Sequence, residues 1–461
     1  MVMTIHAPET TDSAALVADL RRVFATGRTR TLEWRQAQLR GIERMCEERE
    51  SEIAQALAAD LGRSSFEAWL GDVSSTRAEA AFARKNVKKW MRRKRASLPM
   101  SQLPARAWVQ HDPLGVVLVI GPWNFPFYLA MAPVVAAVSA GNAVVIKPSE
   151  LAPATSAMIA RWVPEYLDSD AVRVVEGDAP VTQDLLAQGF DHALFTGGTE
   201  VGRKIMAAAA PTLTPVTLEL GGKCPAIVAA DADIDVAARR LAWTKLINSG
   251  QACIAPDYVL VEKPVAEKLI GKIVANIAEF ASAPSLPIVN ERQFDRLVSL
   301  ISSTEGKVVT GGGSDRAELR IEPTVIVDPS PNDTVMANEI FGPILPILVV
   351  ESLDVAVNFV NGLPKPLALY VFTGSSRRGQ DVIDRTPSGG AIINHAMMHC
   401  LVPQLPFGGV GASGMGDYHG KWGFEALSHR RAVLAKPAKP DLSIMYPPYT
   451  DRAIKLMRRL L

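Results

Sequence analysis

Cys253, one of the four cysteines of this sequence, is a candidate nucleophile for an electrophilic carbon. It ends the segment NSGQAC at 248–253, where small neighbours leave room for a substrate to approach the sulfur. A thiolate adds readily to a carbonyl carbon. A lone cysteine is nevertheless more often a small buried hydrophobic residue, so this segment alone does not decide between chemistry and packing.

Two further segments supply a candidate base and a candidate amide donor. Glu219 follows the apolar run VTL at 216–218 and precedes a Gly-Gly turn, where partial desolvation would raise its pKa and make it a better base near neutral pH. Asn124 lies in GPWNFP at 121–126, where two prolines stiffen the turn. A fixed amide donor can stabilise an oxyanion. Taken singly, the glutamate also fits a strand-end salt bridge and the asparagine a simple turn.

The elements that must position these residues alternate between strands and helices. Short β-branched runs predict strands at 116–120, 143–146, 172–175, 192–195 and 226–228, with helical patterns at 126–140, 154–163 and 201–210. A second series begins near 231, with strands expected at 259–261, 308–309, 325–327, 345–350, 369–372 and 391–393. This alternation predicts an α/β fold with parallel sheets covered on both faces. Residues 13–94 have the spacing of two or three amphipathic helices.

Length and composition narrow the class of protein. The 461 residues exceed what one hydrophobic core usually holds, so two or three lobes are expected. A net charge of +1 offers no general attraction to nucleic acid or to an anionic membrane. The four cysteines include no CxxC pair, and the N-terminal residues lack a secretory pattern. These features favour reduced thiols and a cytoplasmic location.

Seven motifs together resemble the aldehyde dehydrogenase family over nearly the whole chain from Pro122 onward. In chain order they are PWNFP at 122–126, IKPSE at 146–150, FTGGTEVG at 195–202, LELGGK at 218–223, GQACIAPDYVL at 250–260, NEIFGPILPI at 338–347 and LPFGGVGASGMGDYHGKWGFEALSHRR at 405–431. The last motif and the phrase after the cysteine are similar to the short, class 3-type branch, which includes fatty, aromatic and coniferyl aldehyde dehydrogenases. The YPPY run at 446–449 points the same way.

The resemblance implies NAD(P)-dependent oxidation of aldehydes to carboxylic acids through a thioester on Cys253. It assigns Cys253 as the nucleophile, Asn124 with the Cys253 backbone N–H as the oxyanion hole, and Glu219 as the base that activates water. It also implies a set of cofactor residues, from the adenosine ribose to the nicotinamide: Lys147, Glu150, Trp123, Gly197, Gly198, Thr199, Gly202, Glu339 and Phe341.

Two of these positions bear on how the cofactor is held. The turn at 197–202 would accept the pyrophosphate at a helix start. Family members commonly have Ser where this chain has Gly198, so the phosphate would depend more on backbone N–H groups here. Glu150 disfavours a 2′-phosphate by its charge, which makes NAD the expected cofactor with NADP also possible.

Apolar and aromatic residues near the motifs suggest a tunnel for medium-chain or aromatic aldehydes, although they could equally belong to the core. The candidate wall residues are Trp123, Phe127, Tyr128, Trp243, Ile247 and Phe407, with His399 added by resemblance. His395 and His399 have a spacing that zinc ligands can use, with Cys400 adjacent. No fourth ligand lies nearby in the sequence, so we expect no metal.

The predicted organisation has a Rossmann-type cofactor domain at 1–94 and 113–218 and a catalytic domain at 219–429. The resemblance further implies that residues 95–112 and 430–441 form a small β oligomerisation element, which extends a neighbouring subunit's sheet in a homodimer. The C-terminal tail covers 442–461, and its residues 452–461 have the pattern of a short basic amphipathic helix. It could contact a membrane, but a docked or frayed terminal helix is favoured.

Three other functions remain open on the sequence. A cysteine hydrolase would need a histidine base for Cys253, and no recognisable motif supplies one. A catalytically idle relative would be expected to lack Cys253, Glu219 or Asn124, and all three are present. A CoA-acylating dehydrogenase would release the acyl group to a thiol, whereas Glu219 favours release to water.

Overall fold

The N-terminal segment forms more helices than its sequence pattern predicts. The computed structural model describes residues 12–280, 285–441 and 445–460. Its first part contains five α-helices: α1 (Ser13–Ala25), α2 (Leu32–Glu48), α3 (Glu50–Leu61), α4 (Ser65–Ala68) and α5 (Ser74–Trp90). The expectation of two or three helices was wrong because Gly62, with a φ of 69°, ends α3 and Ser64 then starts α4 with a capping box.

The next segment alternates strands and helices as predicted. Its elements are β1 (Lys94–Ala96), β2 (Arg106–Pro113), β3 (Val116–Ile120), α6 (Tyr128–Ala140), β4 (Ala143–Lys147), α7 (Pro153–Tyr166), β5 (Val172–Val174), α8 (Ala179–Ala187), β6 (His192–Thr196), α9 (Thr199–Ala209) and β7 (Val216–Glu219). The strands predicted between 116 and 195 are confirmed. The three predicted helices are confirmed as well, with ends shifted by up to three residues.

The rest of the chain contains a second series of strands and helices. Its elements are β8 (Pro225–Val228), α10 (Ile234–Leu246), β9 (Tyr258–Glu262), α11 (Lys263–Phe280), α12 (Glu291–Ser303), β10 (Lys307–Thr310), β11 (Ser314–Asp315), β12 (Arg320–Ile321), β13 (Thr324–Val327), α13 (Thr334–Ala337), β14 (Ile344–Val350), α14 (Leu353–Asn361), β15 (Ala368–Phe372), α15 (Ser376–Arg385), β16 (Gly390–Ile393), β17 (Gly414–Met415), α16 (Gly420–Ala426), β18 (Ser428–Ala435) and α17 (Asp451–Leu460). All six strands predicted after residue 231 are confirmed.

A six-stranded sheet with the order β17-β7-β6-β3-β4-β5 supports one side of the site. Its strands are parallel except for the short β17. Strands β3 and β4 are buried along their whole length, which explains why their sequences are continuous apolar runs. The register pairs Ile120 with Lys147 and Thr196 with Glu219. These residues therefore lie along one edge of the sheet, where parallel strands end.

A seven-stranded sheet with the order β10-β13-β14-β9-β8-β15-β16 forms the second lobe. Strand β8 pairs with β9 and β15 in this sheet, although its run at 226–228 was grouped with the first series of strands. That grouping was wrong because the chain crosses to the second sheet at the turn after Glu219. The register of strand pairs shows this crossing, whereas the local sequence does not.

A three-stranded antiparallel sheet, in the order β1-β2-β18, involves the segments predicted to form the oligomerisation element. Residues 95–112 do not form one strand, because a 3-10 turn at Met100–Gln102 separates β1 from β2. Strand β18 begins at Ser428, two residues before the predicted boundary. The tail forms α17, and none of the helices that the structure describes is long and apolar enough to cross a membrane.

Helix α6 connects the packing of the two lobes. Every residue of this helix is buried, so it has no polar face. Its residues Tyr128, Leu129 and Ala132 pack with the core of the second lobe, whereas Met131 and Val134 pack with the N-terminal helices. The start of α6 is therefore held from both sides, and it carries the turn that contains Asn124.

Candidate active site

Two cavities meet at the carboxyl edge of the six-stranded sheet. The larger cavity, of about 980 Å³, extends along the ends of β3, β4 and β6. The smaller cavity, of about 310 Å³, lies between the start of α6, the end of α10 and the segment 397–407. Thr196, Glu219 and Cys253 line both cavities. The predicted nucleophile and the predicted base therefore face one common space that is open to both sides.

The loop that carries Cys253 is held by hydrogen bonds from its own side chains. Directly after α10, Asn248 and Ser249 adopt positive φ angles of 52° and 51°, a conformation that is costly for residues other than glycine. The side chain of Gln251 donates to the Pro287 carbonyl oxygen at 3.1 Å. Such anchoring fixes the backbone on which the sulfur is mounted.

The Cys253 side chain is partly exposed, but its sulfur lies in a buried setting. Burial raises the pKa of the Cys253 thiol well above its ordinary value, and the negative charge of Glu339 raises it further. At neutral pH the group is therefore a thiol. It must lose its proton before it can act as a nucleophile.

Asn124 is buried and its amide is held in place. Its Nδ2 donates to the Gln251 carbonyl oxygen at 3.1 Å. The backbone carbonyl oxygen of Asn124 accepts from Arg63 Nη2 at 2.5 Å and from Asn248 Nδ2 at 3.0 Å, which fixes the turn that carries the side chain. Because an amide nitrogen carries two hydrogens, one donor remains for an oxyanion beside Cys253.

A buried ion pair, which the sequence did not reveal, positions this turn. Arg63 and Asp72 form a direct ion pair, and both side chains are almost fully buried. Asp72 Oδ1 also accepts the backbone N–H groups of Phe127 and Tyr128 at 3.1 and 2.8 Å, at the start of α6. The pair therefore links α4, the Asn124 turn and α6. No motif signals it, because the two residues act through contacts that form only in the folded chain.

Glu219 ends β7 and is buried, with a relative exposure of 2%. Neither of its carboxyl oxygens has a hydrogen-bond partner among the described residues. Burial raises the pKa of Glu219 well above its ordinary value, and the nearby Asp417 raises it further. Its carboxylate form, which grows as the pH rises toward this raised pKa, is a stronger base toward water than an ordinary carboxylate.

Tyr418 was not predicted as a site residue, although it lies in the long C-terminal motif, and it is close to the junction of the two cavities. Its ring lines the smaller cavity. Burial, followed by the charges of Glu219 and Cys253, raises the pKa of the Tyr418 phenol well above its ordinary value. The hydroxyl is therefore neutral and lies near the two reactive side chains.

The larger cavity contains eight of the nine residues predicted to bind a cofactor. They are Trp123, Lys147, Glu150, Gly197, Gly198, Thr199, Glu339 and Phe341. Lys147 Nζ donates to Glu150 at 3.1 Å and to the Gly177 carbonyl oxygen at 2.7 Å. The rings of Trp123 and Phe341 meet edge to face, with centroids 5.4 Å apart. The cavity thus has a polar end at β4 and an aromatic end near Cys253.

The glycines of the 197–202 turn have different roles. Gly202 does not line the cavity. A Cβ there would lie 2.6 Å from Leu220 Cδ2, so this glycine lets α9 pack closely against the residue that follows β7. A Cβ at Gly197 would lie 2.5 Å from the Phe195 ring. At Gly198, the residue before α9, a Cβ would meet no atom within 4 Å. A side chain is therefore sterically possible at Gly198. Compared with a serine at this position, the glycine lacks a hydroxyl group rather than relieving a clash.

Glu339 is held at the aromatic end by a network around Lys223. Lys223 Nζ donates to Asp257 at 2.5 Å and to two backbone carbonyl oxygens of the segment 335–338. The Glu339 carboxyl group lies against Gly221, where a Cβ would be only 1.9 Å from Oε2. Burial and the charge of Asp257 raise the pKa of Glu339 to about 8. Sequence reasoning missed Lys223 and Asp257, although both lie inside the quoted motifs.

The smaller cavity is apolar over most of its wall. Of the predicted wall residues, Tyr128, Trp243, Ile247 and Phe407 line it. They are joined by residues that were not predicted, which come from separate segments: Phe66, Leu70, Phe125, Met397, Leu401 and Tyr418.

Three predicted wall residues lie elsewhere. Trp123 lines the larger cavity instead of the smaller one. Phe127 is fully buried in the core with the N-terminal helices, and Phe125 lines the cavity in its place. His399 packs against Tyr370 and Phe407, and a Cβ at Gly390 would lie 2.7 Å from its ring. It therefore stands behind Phe407 rather than on the wall. Among the described residues, no group of three His, Cys, Asp or Glu could hold a metal ion.

The sequence is similar to known proteins over most of its length. The sequence matches the family described as "Aldehyde dehydrogenase family" over residues 1–433. It is 46% identical over 446 residues to the mouse (Mus musculus) protein "Aldehyde dehydrogenase family 3 member A2", which covers 95% of this chain and 92% of that protein.

Two solved structures have the same fold. One is described as "Substrate bound state of Staphylococcus Aureus AldH", with a TM-score of 0.93, 38% identity and coverage of 96% of this chain and 98% of the other. The second is an NAD-dependent aldehyde dehydrogenase from Sinorhizobium meliloti, with a TM-score of 0.87, 28% identity and coverage of 94% and 88%. The similarity in fold therefore extends over both lobes.

Proposed function

The chain belongs to the aldehyde dehydrogenase family, and from that premise we propose that it oxidises aldehydes to carboxylic acids through a covalent intermediate on Cys253. It is an NAD(P)-dependent aldehyde dehydrogenase. The observation that supports the proposed chemistry is the position of Cys253 and Glu219 at the junction of the two cavities. One cavity fits a dinucleotide, and the other fits an apolar aldehyde.

The residues of the larger cavity fit a nicotinamide dinucleotide. Lys147 and Glu150 at the end of β4 suit ribose hydroxyl groups, and the start of α9 at Thr199 presents backbone N–H groups to a pyrophosphate. Glu339 and Phe341 suit the nicotinamide end. When bound, the dinucleotide supplies the hydride acceptor for the oxidation. We propose NAD as the preferred form, because the Glu150 carboxylate would repel a 2′-phosphate.

The first step is the addition of Cys253 to the aldehyde. The thiol loses its proton to the solvent, the sulfur bonds to the carbonyl carbon, and the π electron pair of the carbonyl bond moves to its oxygen, which becomes an oxyanion. The free hydrogen of Asn124 Nδ2 and the backbone N–H of Cys253 stabilise that oxygen. One such donor contributes about 3 kcal/mol to the transition state. Oxidation of the adduct leaves the acyl group as a thioester on Cys253.

The second step is the hydrolysis of the thioester. Glu219 accepts a proton from a water molecule, whose oxygen then bonds to the acyl carbon while the carbon–sulfur bond breaks. The carboxylic acid leaves, and Cys253 is restored. The burial that raises the pKa of Glu219 makes its carboxylate a strong enough base for this task.

The wall of the smaller cavity supports medium-chain aliphatic or aromatic aldehydes as substrates. Its carbon-rich lining and volume of about 310 Å³ favour a compact apolar chain or ring over a charged substrate. Phe125 and Phe407 offer flat surfaces for an aromatic ring.

We also propose a cytoplasmic homodimer. Strand β18 is an edge of its sheet, and an edge strand offers unpaired backbone groups to a second copy. Light scattering on the purified protein measures the mass directly. If the measured mass at micromolar concentration equals that of a single chain, the proposed homodimer is wrong.

Incubation with an aldehyde and NAD tests the proposed function. We expect the absorbance of the reduced nicotinamide to rise and the matching carboxylic acid to appear in equal amount, with NADP giving a slower reaction. Added CoA should not divert the product to acyl-CoA. Absence of reduced nicotinamide with both aliphatic and aromatic aldehydes would exclude a dehydrogenase of these substrates. Acyl-CoA formation would instead indicate release to a thiol.

A further inference from the structure

The two donors that would stabilise the oxyanion belong to different lobes. Asn124 lies in the turn that follows β3 of the six-stranded sheet. Cys253 lies in the loop that follows α10, and α10 packs in the core of the second lobe. Two donors stabilise one oxygen only when both are held at fixed positions around it. The contacts that join these two segments therefore bear directly on the reaction.

The side chain of Asn248 bridges the two segments. Its Nδ2 donates to the backbone carbonyl oxygens of Asn124 and Gln251, both at 3.0 Å. Its Oδ1 accepts from Arg63 Nε at 3.2 Å. All three distances are ordinary hydrogen-bond lengths, and Asn248 is only 3% exposed. Both hydrogens of the Asn248 amide are therefore used inside the protein.

The orientation of the Asn248 amide follows from its partners. Arg63 Nε can only donate a hydrogen bond, and backbone carbonyl oxygens can only accept one. If the nitrogen and the oxygen of the amide were exchanged, every one of these contacts would bring two donors or two acceptors together. The bridge consequently has one arrangement, which does not depend on the tautomer or the charge of any titrating group.

The same bridge also constrains the amide of Asn124. The Gln251 carbonyl oxygen, two residues before Cys253, accepts from Asn124 Nδ2 at 3.1 Å as well as from Asn248. One hydrogen of the Asn124 amide is thus bound to the Cys253 loop, while Asn248 holds the backbone of the Asn124 turn. The direction of the second hydrogen is set by the contacts that hold the nucleophile.

Ser249 resembles Asn248 in everything except its contacts. The two neighbours have φ angles of 51° and 52° and are 2% and 3% exposed. The hydroxyl of Ser249 donates to the Leu286 carbonyl oxygen at 2.8 Å, so it anchors the loop to a different segment. A comparison of the two positions therefore separates anchoring of the loop from the link to Asn124.

We infer that Asn248 is a positioning residue of the oxyanion hole, which joins the Asn124 turn to the Cys253 loop so that both donors reach one oxygen. This role rests on the proposed function, which assigns Asn124 and the Cys253 N–H to the oxyanion. Because both hydrogens of its amide are already bonded, Asn248 acts through Asn124 rather than on the substrate.

A double-mutant cycle tests the role of Asn248. Enzyme in excess over aldehyde, with saturating NAD, is followed by stopped-flow absorbance of reduced nicotinamide. Asn248→Gly removes the amide, and glycine adopts the positive φ without strain. The rate should fall about ten- to hundredfold, because a displaced donor stabilises the oxyanion poorly, while the dissociation constant of NAD stays unchanged. In the Asn124→Ala background the same substitution should cost less than about threefold.

Ser249→Gly is the matched control. Any rate loss that it causes should be the same factor with and without the Asn124 side chain, since loop anchoring and the amide donor are independent. If Asn248→Gly likewise slows the reaction by one factor in both backgrounds, or does not slow it in the wild-type background, Asn248 does not act through Asn124 and the assigned role is wrong.

A second variant covers the case in which Asn248→Gly does not fold. Asn248→Asp keeps the size of the side chain and the acceptor for Arg63, but an ionised carboxylate has no hydrogen for the two carbonyl oxygens. Its rate loss should shrink in the same way when Asn124 is replaced. Failure of the proposed function looks different, because the wild type would then form no reduced nicotinamide. An Asn124→Ala variant with the wild-type rate would remove both the oxyanion hole and the role of Asn248.

Discussion

The larger and the smaller cavity are built from different kinds of contact. The larger one is formed by strand ends, by the start of α9 and by glycines, including Gly197, Gly198 and Gly221. The smaller one is formed by side chains from α4, α6, α10, the segment 397–407 and Tyr418. Both cavities draw on distant segments, but the first contains long runs of consecutive residues, such as 120–124 and 195–201, whereas the second is lined mostly by individual side chains, such as Phe66 and Tyr418.

This difference explains why sequence motifs predict the residues of the larger cavity better than those of the smaller one. A site built from backbone needs small residues at set positions, because a Cβ would fill the space. A wall built from side chains only needs apolar volume, which many combinations of residues can supply. Cys253 and Glu219 line both cavities, so variants at these positions test whether cofactor binding and chemistry can be separated.

The largest effect is expected when the shared nucleophile is removed. Cys253→Ala should abolish turnover, because no other thiol lines both cavities in the described chain. Binding of NAD in the larger cavity should persist, as measured by fluorescence titration. Cys46→Ala is the matched control, because Cys46 is buried among the N-terminal helices, and that variant should retain turnover. Loss of NAD binding in Cys253→Ala would mean that the cysteine supports the cavity structurally.

Removal of the shared base should separate the two chemical steps. Glu219→Gln should give one burst of reduced nicotinamide and then stall, because the thioester forms but is not hydrolysed. The steady-state rate should fall by about 10² to 10⁴. Stopped-flow absorbance resolves the burst from the slow phase. If the steady-state rate stays at the wild-type level, water is activated by another group.

The smaller cavity depends on the Arg63–Asp72 pair, which is more deeply buried than the Lys223–Asp257 pair at the larger cavity. Arg63→Met leaves the buried Asp72 carboxylate without its cation, so the free energy of unfolding should fall by about 3 to 5 kcal/mol. Urea unfolding measures it. In the control Arg77→Met, whose exposed pair with Glu47 is lost, the change should stay below about 1 kcal/mol. An equal decrease in the free energy of unfolding in both variants would show that the buried pair contributes no more to stability than the exposed one.

The protonation state of the shared nucleophile predicts a pH dependence. Because the pKa of Cys253 is raised, the thiolate fraction grows as pH rises toward that pKa. The burst rate should therefore increase with pH through the alkaline range, by up to about tenfold per unit while the thiol remains mostly protonated. A burst rate that is flat between acidic and alkaline pH would indicate that cofactor or substrate binding forms the thiolate.

The smallest effect is expected at the backbone-built site. Gly198→Ser places a hydroxyl at the start of α9 without a clash, so the dissociation constant of NAD should decrease about two- to fivefold. Gly197→Ser is the matched control. Its Cβ would meet the Phe195 ring, so binding should weaken instead. Isothermal calorimetry measures both constants. Weaker binding in Gly198→Ser would mean that the glycine is needed for close approach of the phosphate.

The sequence determined the alternating strands, the family and the identity of the shared residues. Periodic apolar runs predict buried parallel strands because a strand covered on both faces must be apolar throughout. Motifs such as LELGGK and the 197–202 turn could be recognised because their residues are consecutive and sterically constrained. The same reasoning placed the strand at 226–228 in the wrong series, since local pattern carries no information about which sheet a strand joins.

The tertiary structure alone decided which side chains face the smaller cavity and what charge they carry. Phe125 lines the wall and Phe127 does not, although both follow Asn124 within three residues. The Arg63–Asp72 pair, the neutral ring of His419 and the raised pKa of Cys253 all arise from burial among distant segments. Desolvation and packing depend on every neighbour in space, and a linear pattern records only the neighbours along the chain.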